Sequence, residues 1–129
     1  MKKVDFMGKY PVYEMTVPKV QSQYSSVDSI IAYLQQQIDT HPIASYIAMF
    51  DQYAHTAKIG GEIHATIKEA KEIIFCFGQK LPNATILAIR PRAIAVVEMD
   101  ENFTISFMEA PNEPSTLQMR EWVKSIKKA

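Results

Sequence analysis

Residues 93 to 107 read as two strands folded back on one another. Ala93 to Met99 is rich in β-formers, Asp100-Glu101-Asn102 is a turn cluster, and Phe103, Ile105 and Phe107 then alternate with Thr104 and Ser106. A period of two puts the three bulky side chains on one face and the hydroxyls on the other. A strand patterned in this way holds only when another layer covers its bulky face. Tyr10 to Val17 repeats the pattern, with Tyr13, Met15 and Val17 on one side, Val12, Glu14 and Thr16 on the other, and Pro18 closing the run.

Two amphipathic helices supply the covering layer. Ser25, with Asp28 three residues on, makes a capping-box-like start. Val27, Ile30, Ile31, Leu34 and Ile38 then form one apolar stripe, and His41-Pro42 ends the helix because proline disfavours helical geometry in the residue before it. After Ala110-Pro111 a closing helix starts at Glu113-Pro114, with Asn112 or Ser115 as its cap and Met119, Trp122, Val123 and Ile126 as its stripe. Lys124, Lys127 and Lys128 lie near its carboxyl end, where the helix dipole favours positive charge.

The middle of the chain is less regular. Ser45 to Tyr53 is apolar in both registers and reads as a central strand covered on both faces. Past the Gly60-Gly61 joint, Ile63, Ile67 and Ala70 fall at helical spacing and predict a short helix over Glu62 to Lys71. Ile73 to Phe77 reads as a short buried strand stopped by Gly78, and Thr85 to Ile89 as another, divided from Ala93 by Arg90-Pro91-Arg92 at a corner or an edge bulge. The expectation is one domain over 1-129 with an α+β fold: an antiparallel sheet of about five to six strands, and two main helices, residues about 27-40 and 114-127, on one face.

Composition restricts the function classes. Of the 129 residues 47% are hydrophobic, and 14 basic side chains balance 14 acidic ones. The pI near 6.8 leaves neither the basic footprint of a nucleic-acid binder nor a polybasic attraction to membrane. The longest apolar stretches, Ile73 to Phe77 and Ala93 to Val97, hold five residues each, far short of the ~20 a membrane-spanning helix needs. Val4 to Lys9 interrupts the apolar run of a secretory leader, and the single cysteine, Cys76, forms no internal disulfide. Both point to a reducing cytoplasm.

The second half of the chain carries a resemblance. An apolar strand ending in Cys76-Phe77-Gly78, the run Ile89-Arg90-Pro91-Arg92-Ala93-Ile94-Ala95-Val96-Val97-Glu98, a short turn, Ile105-Ser106-Phe107-Met108-Glu109-Ala110-Pro111 and a closing helix together resemble small bacterial domains of unknown function. The helix Val27 to Ile38 followed by the strand at Ile47 fits the same layout. The resemblance implies an α+β sandwich that is often dimeric, and it carries no catalytic residues over. Those relatives place a further helix after the strand ending near Gly78, where this chain has only Gln79 to Ala84.

Three groups of residues carry possible chemistry. His55, His64 and Cys76 combine the nitrogen and sulfur donors of zinc and copper sites, but none are spaced two to four residues apart as structural zinc ligands are, so no metal or cofactor is expected. The same residues suit a thiol-dependent enzyme or sulfur carrier, with Cys76 as nucleophile and His55 or His64 as base. Arg90 and Arg92 flank Pro91 and, on an extended segment, point the same way as a clamp for a carboxylate or phosphate. Asp51, Glu98 and Glu109 are the carboxylates available for acid-base work. Met49, Met99, Met108, Tyr46, Tyr53 and Phe107 suit either a ligand pocket or a sheet face buried against a twin subunit. No phosphate loop, dinucleotide fingerprint or nucleophile elbow is present. The expected function is a non-enzymatic cytoplasmic module that forms a homodimer and binds a small apolar or anionic molecule, without nucleic-acid or membrane partners. The alternatives are the Cys76 enzyme or carrier and a metal-binding protein using the same residues.

Overall fold

The computed structural model describes residues 1–129. Six strands, β1 (Lys2–Phe6), β2 (Tyr10–Pro18), β3 (Ser45–Asp51), β4 (Glu69–Cys76), β5 (Arg92–Glu98) and β6 (Asn102–Met108), form one antiparallel sheet in the order β1-β2-β6-β5-β4-β3. Three helices, α1 (Val27–Thr40), α2 (Gln52–Lys58) and α3 (Glu113–Lys124), complete an α+β fold.

The alternation read from the sequence builds the core. Met15 and Val17 of β2, Phe103, Ile105 and Phe107 of β6, Ile94 and Val96 of β5, and Ile73 and Phe75 of β4 all face one way and are buried. The stripes of α1 and α3 close over them: Val27, Ile30, Ile31, Leu34 and Ile38 from one, Met119, Trp122 and Val123 from the other. Leu34 is fully shielded, so truncating it to alanine costs about 2–5 kcal/mol. The other face carries no helix stripe and mixes polar, small and apolar side chains, with Glu14, Ser106, Ala95, Glu72 and Phe50 in register across five strands.

Several local expectations are corrected. The α1 cap is Ser26 and not Ser25: its Oγ accepts the Ser29 N–H at 3.0 Å, and Ser29 Oγ accepts the Ser26 N–H at 3.0 Å, closing a reciprocal box. Ser45 to Tyr53 is not a central strand. It ends at Asp51, sits at the sheet edge, and hands over to α2, whose first turn is capped by Asp51 accepting the Ala54 N–H at 2.9 Å. Glu62 to Lys71 is not a helix; 62–68 is turn and coil, Glu69 and Ala70 pair with β5, and from Lys71 the strand pairs with both β3 and β5, so sheet contacts override the accidental helical spacing. Thr85 to Ile89 is a 3₁₀ turn and not a strand: it pairs with no strand of the sheet, and Asn83 Oδ1 accepts the Ile86 N–H at 2.9 Å in its first turn. The closing helix runs Glu113–Lys124, with Asn112 as its cap through the Ser115 N–H at 2.9 Å. Strand β1 was not expected at all, because its charged sequence gains its order from pairing with β2.

Candidate functional site

Antiparallel pairing brings the start of β3, the end of β4, the start of β5 and the end of β6 to one end of the sheet. The end of α1 and the start of α3 meet them there. Between these elements lies a cleft of about 440 Å³, lined among others by His41, Cys76, Phe77, Gly78, Arg90, Arg92, Asn112 and Ser115. Three of the residues singled out in the sequence, Cys76, Arg90 and Arg92, therefore share one site.

The two guanidinium groups are held differently. Arg92 Nη2 donates to the carbonyls of Met108 and Glu109 at 2.9 and 3.3 Å, and Nη1 to that of Ile89 at 3.2 Å, tying the end of β6 to the start of β5. Its Nε is buried without a partner, and burial pushes the group below the ordinary arginine value. Arg90 is extended, with φ −126° and ψ 152°, and its Nη1 donates to the Lys80 carbonyl at 2.6 Å. Neither arginine has a carboxylate within ion-pair distance. The lining of the cleft contains no Asp or Glu whatever. The nearest carboxylates, Glu72 and Glu109, line the adjoining hollow on the other side of the two arginines.

The candidate carboxylates are each engaged elsewhere. Asp51 caps α2, Glu98 accepts from Lys19 Nζ at 2.6 Å, and Glu109 accepts from Lys3 Nζ at 3.0 Å. That last hydrogen bond holds the Lys3 ammonium above its ordinary value.

His41 is the histidine at the cleft, and nothing in its local sequence marks it out. Its Nδ1 accepts the Ile43 and Ala44 N–H groups, both at 3.1 Å, so the neutral ring carries its proton on Nε2. The ring meets Phe77 and Trp122 edge-on, each at 5.7 Å between centroids. Cys76 is half-buried, and its Sγ accepts the Gly78 N–H at 3.3 Å.

His55 and His64 are not brought to Cys76. They lie in the connection between β3 and β4 at the opposite end of that hairpin, where Lys71 pairs with Asp51. Lys71 and Cys76 are five residues apart along β4, about 17 Å at ~3.3 Å per residue. Both rings are exposed; His55 packs on Phe50, and His64 Nδ1 bonds Thr66 Oγ1 at 2.8 Å. No group of three or more His, Cys, Asp or Glu side chains is placed to hold a metal ion. Of the residues suited to a ligand pocket or a buried sheet face, Phe107 is core, Tyr46 packs on the core, and Met49 and Met108 are exposed. No helix is long and apolar enough to cross a membrane.

No curated protein matches this chain. The sequence pattern of a family of unknown function, DUF6858, matches residues 1–128, and the chain belongs to that family.

Proposed function

We propose that this protein is a binding module for small organic anions, seated in the cleft between β4, β5 and α3. The observation that carries the reading is the lining itself: two arginines and a histidine, with no carboxylate among them. Burying a cation costs free energy unless an anion or hydrogen bonds offset it. Arg92 has only carbonyl partners, and Arg90 keeps Nε and Nη2 free beyond its bond to Lys80. A carboxylate accepts such donors in the paired geometry that guanidinium presents. Ile43, Phe77, Ile86 and Ile89 give the cleft apolar walls that keep water from the bound head group.

Trp122 is the chain's one tryptophan and packs against His41 and Phe77, so its emission reports on the cleft. Isobutyrate should change that emission saturably, and the neutral isostere isobutyramide should not. Arg90→Gln should weaken isobutyrate binding by about tenfold, the value of losing a charge-assisted hydrogen bond. Equal responses to acid and amide would refute the reading.

Self-association through the uncovered sheet face is a second, compatible reading. It is supported by a face on which Val12, Ile74, Ala93, Ala95 and Val97 are left without a covering helix, and by zero net charge, which opposes no encounter between copies. Light scattering after size exclusion should return twice 14.7 kDa, and a single 14.7 kDa species sinks it. The lone cysteine supports the cytoplasm as the site of action.

A further inference from the structure

The cleft does not end at its own wall. A second hollow of about 400 Å³ lies against it and shares Cys76, Gly78, Gln79 and Arg90 with it. The rest of that hollow is lined by Ile47, Leu81 and Leu87, which are 53%, 74% and 60% exposed, with Lys80 and Pro91 beside them. Side chains so open to water contribute little to holding the fold, and a polar residue would suit each surface position better. Ile47 is placed there by an irregularity in the sheet, since the pairing of β3 with β4 skips from Tyr46 to Ala48 and leaves the residue between them out of register. Leu81 and Leu87 belong to the segment between Gly78 and Pro91. That segment is tied down by the bond from Arg90 to the Lys80 carbonyl and by Asn83 Oδ1, which accepts the Ile86 N–H at 2.9 Å.

Charge and apolarity thus follow one another along a single path. The Arg90 guanidinium stands where the two hollows meet, the carboxylate-free cleft lies on one side of it, and the aliphatic groove lies on the other. Resting on the anion-binding reading above, we infer that the ligand is a monomeric aliphatic carboxylate, with its head group on Arg90 and its chain along Ile47, Leu81 and Leu87. A compact anion would leave the groove empty, whereas a flexible hydrocarbon tail fills it and withdraws those side chains from water.

The test is calorimetry of the full chain with butyrate, hexanoate, octanoate and decanoate below their micellar concentrations. Affinity should rise about two- to fourfold per added methylene, the upper value being that of a fully buried CH₂. The Leu81→Ser/Leu87→Ser double variant should keep butyrate affinity and lose the rise with chain length; both residues are exposed, so the core is untouched. Butyrate binding with no gain up to decanoate overturns the tail assignment and leaves the anion cleft standing, whereas no binding by any of the four overturns both. Co-sedimentation with phosphatidylglycerol vesicles without binding of monomeric decanoate overturns it in favour of a bilayer surface.

Discussion

The guanidinium of Arg90 lies directly against the α-carbon of Gly78. A Cβ added there would clash with Cζ and stand 2.6 Å from Nε and 2.7 Å from Nη1. Glycine at this position therefore serves a close approach between side chain and backbone, and its φ is not one that demands glycine. Gly78→Ala should push the guanidinium out of the wall between the two hollows. The displaced atoms are the far end of a flexible side chain, so the stability cost should be about that of its one bond to the Lys80 carbonyl, about 1–2 kcal/mol. Carboxylate affinity should fall about as far as in Arg90→Gln, with no further loss in the double variant. Independent, additive losses would show that Gly78 does not act through Arg90.

Cys76 sits on the wall of both hollows, half-exposed, with no disulfide partner. A bound carboxylate should cover its sulfur. Alkylation by iodoacetamide, followed by mass spectrometry, should slow at least fivefold at saturating octanoate and be unchanged by octanamide. Equal rates with and without octanoate would place the ligand elsewhere.

At the other end of the molecule Lys71 joins α1 to the sheet. Its Nζ donates to Asp28 at 2.6 Å and lies 3.9 Å from Asp51, with the lysine side chain 12% exposed. The hydrogen bond to Asp28 is the main cause holding its ammonium above the ordinary value of 10.5. A pKa raised by folding stabilises the native state fully below the unfolded value, and the contribution is lost as pH rises through the folded one. Lys71→Met keeps the aliphatic packing and should cost about 0.5–1 kcal/mol, since Asp28 is exposed to solvent. In urea unfolding the difference should hold steady from about pH 6 to 9 and shrink above the ordinary lysine value.

Helix α1 owes its start to the reciprocal bonds between Ser26 and Ser29. Ser26→Ala should cost about 1 kcal/mol. Ser25→Ala should cost almost nothing, which separates the true cap from its neighbour in a thermal melt.

The elements that could be read from the chain are those whose pattern is local and long. The five apolar residues of α1 are five of the buried ones, and the β5–β6 hairpin folds about the expected turn, with the Met99 N–H donating to the Asn102 carbonyl at 2.8 Å. Two of the misreadings share one physical cause. Glu69 to Lys71 carries the end of a helical accident that pairing with β5, joined by β3 at Lys71, overrules, and Lys2–Phe6 has a strand's fate but too much charge to advertise it. In the site, Arg90, Arg92 and Cys76 were legible because a rigid proline joins two of them and a strand end presents the third. His41 and Gly78 were not, since each matters through a partner distant in sequence: Trp122 for one, Arg90 for the other.

The most direct test of the anion cleft is an amide chemical-shift titration of the ¹⁵N-labelled chain with isobutyrate. The shifts should concentrate at Cys76 to Gln79, Ile89, Arg90, Arg92 and Ala110 to Ser115, and in Arg90→Gln should need about tenfold more isobutyrate to reach their midpoint. Shifts centred on His55, His64 and the β3–β4 connection, or a midpoint unaltered in Arg90→Gln, would contradict the account.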